Sequence, residues 1–213
     1  LLDIAAIPER YQQQALNDSY FTELKSEYQY LAHKFGLQAM DANQWRFLRL
    51  RPQNFPHIRI AQLAHLYYEQ RAGLSQLLEC ENVKQVRELL ATQVTHYWET
   101  HYVFGEKSAK SEKKLSAASL NLQIINTVAP ILFAYGKHKN SEKYCERAFD
   151  FLETLKAEEN HIVRMWKEVG LMVETAGDSQ ALIQLKKEYC DRKDCLRCRI
   201  GYEYLKGSSS IKG

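Results

Sequence analysis

Residues 115–136 read LSAASLNLQIINTVAPILFAYG, a stretch without one charged side chain. Only a helix that can be buried on most of its faces tolerates such a composition, because nothing in it has to be desolvated at a charge. Pro130 predicts a kink in that helix. Ser116, Ser119, Asn121, Gln123, Asn126 and Thr127 interrupt the apolar run and argue against a membrane span.

Outward from this stretch the periodicity stays helical. In 18–35, Phe21, Leu24, Tyr28, Leu31 and Phe35 recur at helical spacing, Asp18 or Ser19 caps the start, and Gly36 ends the run. Further helices are predicted at 42–50, 55–71 (capped by Asn54), 82–91, 93–103, 141–155, 160–169, 178–192 (capped by Asp178 or Ser179) and 195–205. RPQNFP (51–56) is a break, and GEKSAKSEKK (105–114) a polar, solvated loop. Alternating strand patterns and fixed-period repeats are missing. The expected fold is all-α, a compact multi-helix bundle with a central buried helix near 115–136. It forms one helical domain over 1–213, with a frayed tail at 207–213.

The 213 residues are 45% hydrophobic and 26% charged with a net charge of +3, ordinary for a globular protein and too mild to name a partner. The opening LLDIAAIPER lacks the basic and apolar regions of a signal peptide, and its start without Met reads as the C-terminal part of a longer protein. Five cysteines, an odd number clustered late, do not form a secreted disulfide framework; a cytoplasmic location is expected.

GxSxG, HExxH, Walker and GxGxxG motifs are missing. Glu158, Glu159 and His161 read as a solvated helix start, and His96, Trp98 and His101 as a partly buried aromatic face. This chain is not expected to be catalytic by itself.

Between Ala42 and Tyr68 there is no Asp or Glu, yet Arg46, Arg49, Arg51 and Arg59 occur there with Trp45, His57 and His65 interleaved. Such arginines either find carboxylates from elsewhere in the fold or face an external anion, of which phosphate is the common one.

Near the end, Cys190, Cys195 and Cys198 are spaced C-x4-C-x2-C. The last pair has zinc-like spacing, and the triplet resembles three ligands of a plant-type iron–sulfur site. Cys145, Cys80 and His161 are the candidates for a fourth ligand, and no motif nominates one. In a helix over 195–205, Cys195, Cys198, Tyr202 and Leu205 share a face, so packed thiols without a cofactor are the expectation. Zinc, iron–sulfur or a redox role is the alternative.

Several segments resemble a known family: RFLRLRPQNFPHIRIAQLA (46–64), HYWETHYVFG (96–105), INTVAPILFAYGK (125–137), DSQALIQLKKEYC (178–190) and CLRCRIGYEYLK (195–206). Together they resemble the C-terminal half of an uncharacterised bacterial protein family, catalogued as a domain of unknown function, from about Ser19 to Lys206. The resemblance implies a missing N-terminal half similar to restriction-endonuclease-like nucleases. The family pattern includes the three cysteines and supplies no obvious fourth ligand.

Three functional readings follow. The first is a non-catalytic helical module contacting nucleic acid for a nuclease-like partner domain, its own N-terminal half, with no membrane partner. The second is a structural or protein–protein interaction domain with internally paired arginines. The third is a metal or redox module built on the cysteines.

Overall fold

The structure is a computed structural model that describes residues 6–69, 71 and 73–209. Its regular structure is helical apart from one small antiparallel hairpin, so the all-α expectation holds. The chain divides into two compact units, Leu1–Gln76 with Glu88–Ala117, and Leu77–Arg87 with Ala118–Gly213.

In the first unit, Asp18 caps α2 (Ser19–Phe35) by accepting from the Phe21 amide at 2.9 Å. The same carboxylate accepts from the Tyr97 hydroxyl at 2.8 Å, which ties the helix start to α6 (His96–Glu99). Phe21 then enters a core with Ile7, Ala15 of α1 (Glu9–Leu16), Ile58 and Ala61 of α3 (Pro56–Tyr68), Val94, Trp98 and Phe104. The helix expected at 93–103 is only that single turn. From His101 the chain forms β1 (His101–Val103), paired with β2 (Glu106–Lys107). The reason is Gly105, at φ +74°, where an added Cβ would lie 2.3 Å from the Gln14 carbonyl oxygen. Only glycine admits both the turn and that approach to α1.

The loop at 105–114 is not wholly solvated. Lys113 is buried, and its Nζ donates to the carbonyls of Trp98 (2.5 Å) and Glu99 (2.7 Å) while lying 4.2 Å from the Tyr102 ring centroid. Burial lowers its pKa, with Glu99 opposing. The amide nitrogen Nε2 of Gln62 donates to the Lys113 carbonyl at 2.7 Å, so α3 holds the loop down.

α4 (Leu74–Glu79) and α5 (Val83–Leu90) lead into the second unit and back. There the opening stretch is one continuous helix, α7 (Ala117–Gln123), a π turn (Ile124–Val128) and α8 (Ala129–Lys139). The π turn ends two residues before Pro130, which lacks the N–H and crowds the carbonyl four residues back, inside that turn, the expected irregularity in its local form. Leu120, Ile124, Ile125, Val128 and Leu132 are buried along one side, while Leu122, Ile131 and Phe133 stay exposed. By length and composition alone, Ala117–Lys139 could cross a membrane. Its buried side instead packs on α9 (Glu142–Thr154) as an antiparallel helical hairpin. Gly136 permits the close approach, since a Cβ there would lie 2.7 Å from the Cys145 sulfur.

α10 (His161–Glu168) is capped by Asn160. α11 (Ala176–Gln184) starts two residues before the expected 178, with Thr175 as its cap and Asp178 answering from the third position in a capping box. A π turn (Leu185–Cys190) continues it. α12 (Arg199–Ser209) begins later than the expected 195 and takes in residues 207–209 of the expected frayed tail, whose remainder, 210–213, lies outside the described residues.

Candidate functional site

The acid-free segment is mostly irregular. Asp41 caps a short 3-10 turn (Ala42–Gln44), and a second such turn (Pro52–Asn54) precedes α3. The helix expected over 42–50 therefore exists only as its first turn. What fixes the rest is ring packing. Phe47 lies edge-on to Phe55 at 5.4 Å between centroids and 5.0 Å from the His57 ring, and His57 stacks on Trp98 at 5.8 Å. With those side chains turned inward, Arg46, Arg49 and Arg51 are exposed. Between Phe47 and Leu50 the chain turns, the Leu50 amide reaching the Phe47 carbonyl at 3.4 Å, with Arg49 held at φ +62°.

The four arginines do not form one set. Arg59, on α3, donates from Nη1 to Gln62 Oε1 at 2.9 Å and from Nη2 to Asn54 Oδ1 at 2.6 Å. Asn54 thus braces Arg59 and does not cap α3, whose cap position is Phe55 without a side-chain hydrogen bond. Burial lowers the Arg59 pKa. Arg46, Arg49 and Arg51 make no ion pair or side-chain hydrogen bond among the described residues.

Beside this segment is a cleft of about 550 Å³ within the first unit. Its walls include Ile7 just before α1 and Arg10 on it, then Trp45, Leu48, Arg49 and Phe55 from the acid-free segment. The Trp45 indole nitrogen is buried there without a hydrogen-bond partner, and no aromatic ring among the described residues packs on Trp45. Leu48 is 84% exposed. The sequence signalled Trp45 by placing it among the arginines, but Arg10 and Glu9 join the cleft only through the fold.

His57 is buried with neither ring nitrogen hydrogen-bonded in good geometry. Burial lowers its pKa to about 4, the Tyr102 backbone offsetting part of the effect. His96 is exposed beside Glu99 at 3.1 Å. His101 is buried, stacked on Tyr97 at 4.0 Å, and its Nδ1 lies 2.8 Å from the Tyr97 carbonyl. Trp98 and His101 therefore make the aromatic face the sequence suggests, both packed on Tyr97, while His96 stands outside it. The Glu158 carboxylate accepts from Gln180, and His161 is exposed.

The cysteine triplet is not a helical stripe. Cys190 ends the π turn, while Cys195 and Cys198 sit on the turn leading into α12. The Gly201 amide lies 3.5 Å from Cys198 Sγ. Cys198 is buried, Cys190 and Cys195 are exposed, and all five cysteines are free thiols. Cys80 and Cys145 are buried, Cys145 with its sulfur 3.7 Å from the Phe133 carbonyl. Among the described residues no group of three or more His, Cys, Asp or Glu side chains could hold a metal.

The family described as "Protein of unknown function (DUF2851)" matches residues 7–161. That range takes in the acid-free segment and all of the cleft lining but Ala6, and it stops short of 178–190 and 195–206, two of the segments behind the resemblance. No curated protein matches the chain, and no solved structure does.

Proposed function

The chain belongs to the DUF2851 family, whose function is unknown, and from that premise we propose that it is a non-catalytic helical module that holds a nucleic-acid backbone for a nuclease-like partner domain. The observation that carries the reading is the state of Arg46, Arg49 and Arg51. Three guanidiniums stand exposed, close in sequence, on a segment without a carboxylate from 42 to 68, and none is paired among the described residues. A domain whose arginines serve only its own fold would show them bonded as Arg59 is. Guanidinium forks match phosphate oxygens in geometry and charge. Arg59 belongs to the supporting structure, and the reading assigns phosphate contact to the other three.

Arg49→Gly is the sharpest probe. It removes a cation and also relieves the left-handed backbone at φ +62°, so weakened binding cannot be ascribed to a damaged fold. Fluorescence anisotropy of labelled DNA and RNA at two salt concentrations provides the measurement. Removing one arginine–phosphate pairing should lower the salt slope by about 0.7 for a single strand and about 0.9 for a duplex. Arg49→Gly and Arg46→Ala/Arg51→Ala should both bind more weakly and with flatter slopes. Equal binding by all three proteins, or none by any, would sink the assignment.

A further inference from the structure

We propose that the cleft beside the arginine segment takes one unpaired base of a nucleic-acid strand, which makes the surface selective for single-stranded over duplex nucleic acid. This rests on the reading of Arg46, Arg49 and Arg51 as phosphate contacts. Its own support is separate. A duplex keeps its bases stacked and paired, and offers a concave site only its convex backbone. A cleft of about 550 Å³, within the range of small-molecule sites, has room for a base that has left the stack.

The lining fits a base better than it fits phosphate or an apolar side chain. Glu9, Arg10 and Arg49 line the cleft and are solvent-exposed, so its rim carries both signs of charge, and Arg46 and Arg51 stand exposed on the same segment. Phosphate therefore belongs with the exposed arginines and the base inside. Base edges carry acceptors and exocyclic amines together, which answer an indole N–H and a carboxylate respectively. The Trp45 N–H is such a donor: it has no acceptor in the free chain and is closed off from solvent, a condition that native structures rarely leave unanswered, and a base edge meets it once the indole turns toward the cleft. An apolar side chain would bring it no acceptor. Trp45 is also the one aromatic of 45–55 without a ring partner: Phe47 and Phe55 pack on each other, while Trp45 keeps its ring for a base, with Leu48 and Leu50 as apolar walls.

Stacking and charge separate cleanly in an experiment with three labelled probes: a single-stranded oligonucleotide, the duplex of the same sequence, and the same strand built from abasic units. The abasic strand keeps every phosphate and has no base. The unmodified chain should bind the intact strand roughly tenfold tighter than either of the others, within the range of one base stacked on an aromatic ring. Trp45→Leu should bring the intact strand down to the abasic level without changing the salt slope, because the arginines remain. Equal affinity for intact and abasic strands, or for strand and duplex, would overturn the base site and leave the phosphate reading standing. No binding of any probe would overturn both. The abasic comparison needs no variant, so a Trp45→Leu protein that failed to fold would not block the decision.

Discussion

His57 shows what one residue can do to a fold that the sequence does not announce. Its ring fills the space between Phe47, Trp98 and Phe104, with both nitrogens short of a good hydrogen bond. Burial keeps it neutral, and its pKa falls from 6.5 to about 4. In the unfolded chain the same ring takes up a proton below about pH 6.5. The unfolded state therefore binds more protons between the two values. The stability this neutral ring confers is complete above pH 6.5 and is lost as the pH falls toward 4, by roughly 3 kcal/mol in all. Urea unfolding at about pH 7 and about pH 5 should show about 2 kcal/mol of that loss, and His57→Phe should remove most of it, since an apolar ring has no proton to gain. A pH dependence unchanged in the variant would show that another group carries it. The sequence reveals a histidine among arginines and aromatics, and composition alone cannot tell a buried ring from an exposed one. Lys113 makes the same point: it lies in the most polar loop of the chain and is buried, because its Nζ finds two backbone carbonyls that no local pattern predicts.

Elements are legible in proportion to how local their causes are. The α2 start at Asp18 is a side chain meeting an amide three residues on, and sequence reads it directly. Thr175 takes the cap expected of Asp178 or Ser179, and Asp178 answers it from the third position, because several good caps lie close together and only the turn geometry decides among them. The aromatic run 96–103 has helical spacing, yet a hairpin wins there because Gly105 packs against α1, a contact remote in sequence. The uncharged stretch is legible as a helix, but the burial on most faces expected of it is not found: one side is buried, while Leu122, Ile131 and Phe133 on the other are exposed, since an absence of charge permits burial without supplying the neighbours that cover it. Ile125 sits in its π turn, 4% exposed. Ile125→Asp should therefore abolish cooperative folding of the second unit, since an unpaired buried carboxylate costs several kcal/mol against a total stability of about 5–15 kcal/mol. Circular dichroism during thermal unfolding checks this. A variant that melts cooperatively near the wild-type temperature would mean that this side of the helix is not a core.

Over the whole molecule, the pattern tells which side of an element is apolar and leaves open what covers it. Phe21 and Phe35 belong to the same stripe on α2, yet Phe21 is fully buried and Phe35 is 62% exposed. The division into two units is also beyond a residue-by-residue reading, since each unit is made of two separate stretches of chain. It has a consequence for the proposed activity. The exposed arginines, Trp45 and the cleft all lie in the first unit, whereas the cysteine triplet lies in the second. A ligand stabilises the state it binds, and locally the segments that must be ordered for it. Hydrogen exchange with and without a saturating single-stranded oligonucleotide should therefore show slowed exchange across 42–55 and the start of α1. Exchange in α8, α9 and the 190–198 turn should stay as it is in the free chain. Slowing confined to the second unit would move the binding surface away from the arginines, and slowing at 190–198 above all would return the cysteines to consideration as the functional centre.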